Sequence, residues 1–433
     1  MRAPKVIQTG QPAKLAPVAH SPSLRGVPGY QRFWLGSTVS AFGDYFTSLA
    51  IQVMVVTTLA GSAADVGLVN GARWLPYMVF GLVAGAVVDR LRRRPVMIGA
   101  DLVRAALLLV VPTLALTGSL SIWALAGFMA VFGLASLFGD SATQAFTPRL
   151  VPRSMLTQAH ARIDQSAAVA QTSGPALAGG VVSLVSAPWA VIVDAVSYLF
   201  SAVMLAGIRL DEPKPSAAPR ASLLREVREG LAYVYRHRTL APLAIGTHGW
   251  FICNGAAGAM FVPFVLNTLG LPAIGVGLAL SAAGVGGLAG SLVATRLGRR
   301  FGVGRVMVGC QVLTGVAFAI VAASPTNWLA WVCLGLGQFA FGLSAGAENA
   351  NTLGYRQAVT PDAMQGRMNA TMRSMNRAMV VFAAPLGGLL ADAIGYRQAL
   401  WLASAGFVAV ALAVRLTPLW TARVDAGSAE SGA

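Results

Sequence analysis

The sequence predicts an all-α integral membrane protein in which twelve transmembrane helices form two six-helix bundles. Of its 433 residues, 56% are hydrophobic and only 11% are charged, whereas soluble globular domains carry about 25% charged residues. Apolar segments of roughly 20 residues, the length needed to cross the hydrocarbon core of a bilayer, recur along the chain. Motifs of the first half also recur in the second half, which indicates a duplicated bundle.

Twelve apolar segments are long enough to span a bilayer. They lie at 35–60, 66–88, 96–116, 122–142, 163–185, 189–208, 241–266, 276–295, 306–323, 328–348, 370–391 and 399–416. The polar stretch between the sixth and seventh spans contains three prolines and a short basic amphipathic segment. This stretch therefore reads as the link between two bundles.

The domain organisation follows from these spans. Residues 1–30 contain many Pro and Ser but no apolar run, so we expect a disordered cytoplasmic tail and not a signal peptide. The first bundle is predicted at 31–208, the central cytoplasmic linker at 209–240 and the second bundle at 241–418. A second cytoplasmic tail is expected at 419–433.

The distribution of Lys and Arg predicts the orientation of the chain. Arginines crowd the loops at 90–94, 209–238, 296–305 and 356–367, whereas the short loops of the other set contain a single arginine, Arg397. Such a bias places the basic loops and both termini in the cytoplasm of a multi-pass protein of the plasma or inner membrane. The net charge of +16 is explained in this way, and nucleic acid is excluded as a partner.

Three pairs of motifs indicate that one six-helix unit was duplicated. After the second span the sequence reads DRLRRR at 89–94, and after the eighth span it reads TRLGRR at 295–300. A proline pattern precedes the fifth and eleventh spans in the same way. Within those spans stand GPALAGG at 174–180 and APLGG at 384–388.

The segment 85–94, GAVVDRLRRR, resembles the signature that joins helices 2 and 3 in the major facilitator superfamily. The segment 174–180 is similar to the helix-5 signature of proton-antiporting drug exporters, with one extra residue between Pro and the Gly pair; the residues that carry it are Gly174, Pro175, Gly179 and Gly180. Gly43-Asp44, Arg73-x-Leu-Pro76 and 148–152 resemble the enterobactin-exporter and macrolide-efflux branch. The resemblance implies the major facilitator fold and transport driven by a proton gradient without a cofactor.

The loop after the second span predicts a conformational latch. Asp89 lies at the negative end of a helix dipole and needs a cation or the positive end of another helix. We expect Asp89, Gly85, Arg90 and Arg93 to close the cytoplasmic gate, with Asp140 pairing with Arg93. The alternative is that the arginines serve only as topology anchors at lipid headgroups, which is our interpretation of the remaining arginines of the loop.

Ionisable residues inside the spans are candidates for coupling, because a charge in the bilayer is costly. Asp44 in the first span is our first candidate for carrying the proton, and a purely structural role is the alternative. Glu348 is the second candidate. Alternatively, it forms an inner-gate ion pair with Arg373 or Arg377, which are four residues apart and share one helix face.

Polar and aromatic residues within the spans predict a cavity for a bulky, partly apolar ligand. Trp250 and Asn254 share a face of the seventh span and offer a stacking surface and an amide. The alternative is ordinary aromatic packing. The predicted lining consists of Arg73, Trp250, Asn254, Gln338, Arg373 and Arg377.

The expected function is proton-coupled export of a small amphipathic molecule, such as a drug, siderophore or natural product. The sequence has no phosphate-binding loop, no catalytic triad and no metal-ligand grouping, so we expect neither an enzyme nor a nucleotide-driven pump. The expected partners are the substrate and membrane lipids, and the expected state is a monomer. Two alternatives stay open, namely uptake by symport or facilitated diffusion, and a non-transporting scaffold or sensor.

Overall fold

The computed structural model describes residues 24–88, 90–210 and 223–423, and within these ranges the chain is helical, with no strand. The helices are α1 Tyr30–Thr57, α2 Ala63–Val88, α3 Arg93–Leu116, α4 Ile122–Leu150, α5 Leu156–Val185, α6 Ala187–Ala206, α7 Leu223–Arg236, α8 Leu240–Pro263, α9 Ala273–Phe301, α10 Val303–Ala322, α11 Leu329–Val359, α12 Asp362–Ile394 and α13 Tyr396–Arg415.

Eleven of the described helices are long and apolar enough to cross a membrane. The chain is therefore an all-helical, multi-pass membrane protein. Helix α2 has 26 residues and lies where the second span is predicted.

Several helices extend beyond their apolar segments at the end predicted to be cytoplasmic. Helix α4 continues to Leu150 and α11 to Val359, whereas α5 begins at Leu156 and α12 at Asp362. Hydropathy marks only the part of a helix that lies in hydrocarbon, and the helical hydrogen bonds continue into polar sequence.

The short helix α7 joins the two halves and packs against α8 and α12. Its Gly230 lies against Thr371 and the main chain of Arg367. Glu229 of α7 forms an ion pair with Arg367, with 2.9 Å between Oε2 and Nη1. The linker is thus attached to α12 by close packing and by charge.

The two halves meet at two helix crossings, α2 with α12 and α5 with α9. At the first crossing Gly67 of α2 lies against the carbonyl group of Ala384, and at the second Gly277 of α9 lies against the carbonyl group of Pro175. Small residues allow such close approach of two backbones. The duplicated segments of α5 and α12, each with a proline followed by a glycine pair, thus make equivalent contacts with the opposite half.

Both crossings are capped at the side predicted to be extracellular. The Asp392 carboxylate of α12 accepts hydrogen bonds from the backbone N–H groups of Ala63 and Ala64, each at 3.0 Å, at the start of α2. In the other pair, Ser183 of α5 accepts from the N–H of Ile274, at 3.0 Å, at the start of α9. Each cap satisfies N–H groups that a helix start leaves unpaired, so the halves are joined on this side.

Toward the opposite side α2 and α12 diverge. A Cβ atom at Gly81 would meet only Ser374 Oγ, at 3.5 Å, and one at Gly85 would meet nothing within 4 Å. Two large cavities lie between the halves, of about 740 Å³ and about 550 Å³. The structure is closed at the predicted outer side and open toward the end where the basic loops lie.

Candidate functional site: the cavities between the two halves

The larger cavity, called here the aromatic cavity, is lined by residues of α1, α5, α8, α9 and α11. Trp250 stacks on Phe341 with ring centroids 6.1 Å apart and an interplanar angle of 7°, and it meets Phe251 edge-on at 5.0 Å. Asn254 also lines this cavity, as predicted from its spacing with Trp250. Further polar and aromatic groups come from Tyr45, Gln171 and Asn349.

Two buried polar atoms in the described wall of the aromatic cavity lack a hydrogen-bond partner, Nε1 of Trp250 and Oε2 of Glu348. The indole Nε1 of Trp250 is buried and has no hydrogen-bond acceptor within the described part of the chain. Buried donors are normally paired. The unpaired indole N–H group is therefore an unusual feature of this wall.

Glu348 borders the aromatic cavity but does not form the predicted ion pair. Its side chain is buried, and Oε1 accepts a hydrogen bond from Gln311 Nε2 at 3.1 Å. Arg373 and Arg377 instead line the second cavity. The prediction of an ion pair was therefore wrong, because sequence spacing placed the arginines on one face of α12 but did not show which neighbour that face meets.

Gln338 also departs from the prediction. It is 3% exposed and lies outside the lining of both large cavities. It precedes Glu348 on α11 by nearly three helical turns, and an amide in an apolar run gave no information on its direction. The placement of Gln338 in the substrate cavity was wrong.

The second cavity, called here the basic cavity, lies between α2, α4 and α12. Its wall includes Tyr77, Asp140, Gln144, Arg373 and Arg377. The guanidinium group of Arg377 stacks over the Trp74 ring at 3.7 Å from the centroid. Both predicted arginines therefore face space between the halves.

Asp140 has a different partner from the one predicted. Its Oδ2 accepts a hydrogen bond from the Tyr77 hydroxyl at 2.6 Å. Asp140 lies ten residues before the end of α4, in the wall of the basic cavity, whereas Arg93 begins α3 and is buried. The predicted pairing of Asp140 with Arg93 was therefore wrong, and Asp140 instead contacts Tyr77 of α2.

The predicted latch is only partly within the described residues. Asp89 lies outside them, and the latch through this carboxylate stays a prediction. Gly85 borders the basic cavity, and Arg90 is exposed just after α2.

Asp44 and Arg73 belong to one polar cluster inside the first half. Arg73 Nη2 lies 3.4 Å from Asp44 Oδ1, and Arg73 Nη1 donates to Ser48 at 2.8 Å. The Tyr198 hydroxyl also donates to Asp44 Oδ1, at 2.8 Å. Arg73 lines only a small cavity of about 30 Å³ within the first half and neither of the large ones, so its placement in the substrate cavity was wrong.

The polar cluster continues deeper into the first half. Arg104 lies over the Tyr198 ring at 4.2 Å and forms an ion pair with Asp101, three residues earlier in α3. Together these groups form a chain of contacts from Ser48 to Asp101. Sequence reasoning missed Tyr198, Tyr77 and Gln311, since a lone tyrosine or glutamine in an apolar run carries no signal of its partner.

The helix-5 motif lies at the crossing with α9. Pro175 is inside a continuous helix, and its carbonyl group faces Gly277. A Cβ atom at Gly179 would lie 2.8 Å from the carbonyl oxygen of Ala273, whereas one at Gly180 would meet Ile274 Cδ1 at 3.7 Å. Gly174 lies against the Tyr45 ring, and the motif therefore permits close packing beside the aromatic cavity.

An all-helical membrane chain with paired halves and cavities between them defines a transporter of the major facilitator type. A family model described as transmembrane secretion effector matches residues 19–431. The chain belongs to this family of the major facilitator superfamily.

Bacterial efflux proteins are among its relatives. The chain is 28% identical over 227 residues to macrolide efflux protein A of Streptococcus pyogenes, an alignment that covers 52% of this chain and 55% of that protein. It therefore spans about half the length of that relative. It is 28% identical over 348 residues to the multidrug efflux pump Tap of Mycolicibacterium fortuitum, covering 77% of this chain and 82% of the pump.

Solved transporter structures share the fold. The nucleoside transporter NupG superposes with a TM-score of 0.74 at 14% identity, over 89% of this chain and 98% of NupG. A bacterial homologue of the iron transporter ferroportin, in an inward-facing state, gives a TM-score of 0.67 at 15% identity, over 91% of this chain and 98% of that chain.

Proposed function

We propose that the protein is a secondary active transporter that exports a small amphipathic molecule, such as a drug, siderophore or natural product, in exchange for protons. It works as a monomer of twelve transmembrane helices in two bundles, in the inner membrane, with both termini in the cytoplasm. The two bundles rock about the cavities between them, so that these cavities open to each side of the membrane in turn.

The observation that carries this proposal is the asymmetry of the space between the halves. The α2–α12 and α5–α9 crossings are closed and capped at one end, and the cavities lie open toward the other end, where the basic loops lie. An exporter must accept its substrate from the cytoplasm, which the positive-inside rule assigns to the basic loops. The relatives named as efflux proteins favour export over uptake.

The lining of the aromatic cavity supports an amphipathic substrate. Stacked rings from Trp250 and Phe341 offer a flat apolar surface, and Gln171, Asn254 and Asn349 offer amides. A pocket of mainly apolar groups with a few polar ones is typical for small-molecule recognition. The cavity of about 740 Å³ is within the usual range for a drug-sized ligand.

Two carboxylates are suited to couple export to protons. Glu348 is buried beside the aromatic cavity, and its Oε2 has no hydrogen-bond partner within the described ranges. Asp44 has a side chain that is 40% exposed and contacts Arg73 and Tyr198. A carboxylate that is alternately paired and exposed changes its proton affinity, so no cofactor beyond the proton gradient is needed.

Flux in proteoliposomes with imposed pH gradients of either sign tests the proposal. A lipophilic dye should accumulate against its own concentration gradient only when protons flow in the opposite direction. The variants Asp44→Asn and Glu348→Gln should lose this dependence on the pH gradient. Asp164→Asn is the matched control, because Asp164 is an exposed carboxylate at the start of α5. Accumulation in the direction of proton flow would indicate symport, and unchanged coupling in both variants would refute the proton assignment.

A further inference from the structure

The basic cavity contains two guanidinium groups, of Arg373 and Arg377, that form no ion pair with any carboxylate in the described part of the chain. Among the described residues, no hydrogen bond or ion pair connects Arg373 or Arg377 to another side chain. The two lie four residues apart on α12, so their charges repel each other along one helix face. Uncompensated charge inside a membrane span is costly and marks a path for a charged ligand.

Asp140, the one carboxylate among the described residues that line this cavity, does not neutralise both arginines. Asp140 accepts the hydrogen bond of Tyr77, and no ion pair joins it to either arginine. Two positive charges and one negative charge leave the wall of the basic cavity with an excess positive charge. Arg377 is also held in place by stacking over Trp74, which orients its guanidinium group before any ligand arrives.

Helix α12, which carries the two arginines, packs on α8, which carries Trp250. Asn376, the neighbour of Arg377, has its Oδ1 2.7 Å from His248 Nδ1, and His248 precedes Trp250 by two residues. The two cavities are therefore bordered by neighbouring helices, α12 for the basic cavity and α8 for the aromatic cavity.

We infer that Arg373 and Arg377 form an anion-binding subsite, and that the transported substrates include amphipathic anions with a carboxylate, sulfonate or phosphate group beside an apolar ring system. The guanidinium groups bind the anion, for which their planar donors are suited, and the aromatic cavity binds the ring system. This inference rests on the proposed function and names its substrate class.

Binding to the purified full-length protein in nanodiscs tests the subsite without requiring transport. The probes are 2-naphthoate and its neutral counterpart 2-naphthamide, measured by calorimetry in phosphatidylcholine discs. We expect naphthoate to bind about tenfold tighter than naphthamide, because hydrogen bonds to charged groups are strong. Arg373→Gln and Arg377→Gln should each remove most of this preference and leave naphthamide binding unchanged.

Two controls keep the result specific. Arg92→Gln removes one charge from an exposed residue at the same end of the protein and should leave the preference intact. Arg377→Lys keeps the charge and should retain part of the preference, which excludes a general loss of folding. Equal binding of the two probes by the wild type, or an unchanged preference in both Gln variants, would overturn the inference.

The headgroup of an anionic lipid offers the same chemistry as a soluble anion. In discs that contain phosphatidylglycerol, undiminished naphthoate binding identifies a soluble amphipath as the occupant, and competition by the lipid identifies a headgroup. Either result supports an anion subsite. If naphthoate binding depends on the arginines but pH gradients drive no flux, the inference stands and the proton coupling fails. If neutral dyes are exported in exchange for protons but the two probes bind equally, the proposed coupling stands and the anion subsite fails.

Discussion

At the scale of single residues, the structure joins side chains whose partners the sequence did not reveal. Trp250 and Asn254 were predicted to share a cavity wall, and they do. Glu348 contacts Gln311, and Asp140 contacts Tyr77. Periodicity identifies which residues share a helix face, but it does not show which helix that face meets, so the partners could be found only in the fold.

Trp250 should contribute measurably to ligand affinity. Trp250→Ala removes the ring that stacks on Phe341, and we expect 2-naphthamide to bind about tenfold more weakly, since aromatic pairs contribute about 0.5–1.5 kcal/mol beyond the area they bury. Titration calorimetry of the purified variant measures the loss. Trp123→Ala is the control, because Trp123 is 76% exposed on α4. An equal loss in both variants would show that the effect is not local to the cavity.

At the scale of helices, much of the architecture could be predicted. Each of the twelve predicted apolar segments overlaps a described helix, because the bilayer selects for runs of apolar residues of a fixed length. The helical ends were not predicted, since polar extensions such as 349–359 of α11 look like loops. Small residues in the sequence indicated that helices pack closely. Which helices cross each other is set by the way the two halves dock, and the sequence did not show it.

The crossing of α2 with α12 depends on the absence of a side chain at Gly67. Gly67→Ala places a methyl group against the backbone carbonyl of Ala384, which cannot move without shifting α12. We expect a destabilisation of about 1–3 kcal/mol, typical of overpacking, seen as a lower midpoint of thermal unfolding in detergent. Gly127→Ala in α4 is the matched control, because nothing lies within 4 Å of its added methyl group. A similar midpoint for both variants would contradict the packing argument.

At the scale of the whole molecule, the two halves are joined by caps that belong to neither half alone. Asp392 caps α2 from the second half, and Ser183 caps α9 from the first half. These contacts exist only while the predicted outer side is closed. When the halves part on that side, the first N–H groups of α2 and α9 must find other acceptors, so each cap stabilises the closed arrangement relative to the open one.

Removal of a cap between halves should therefore shift the conformational equilibrium, whereas removal of a cap within one half should not. Asp392→Ala deletes the acceptor of two N–H groups, and N-cap losses cost about 0.5–2 kcal/mol. A shift of that size changes the ratio of the two conformations by about two- to thirtyfold. Spin labels at the outer ends of α2 and α12, in a background without Cys253, Cys310 and Cys333, should report a larger fraction of long distances by double electron–electron resonance.

Variants of two other helix caps, Ser183 and Ser121, test whether the shift in distances arises because the Asp392 cap joins the two halves. Ser183→Ala removes one neutral acceptor between the halves, so it should shift the distances in the same direction by a smaller amount. Ser121→Ala removes the cap of α4, which lies within the first half, so it should lower stability without changing the distances. If Ser121→Ala opened the outer side as far as Asp392→Ala, loss of helix stability in general would be the cause. Because the caps are pseudo-equivalent but only one is charged, the closed state depends more on α2–α12 than on α5–α9, and opening should begin at the weaker α5–α9 contact.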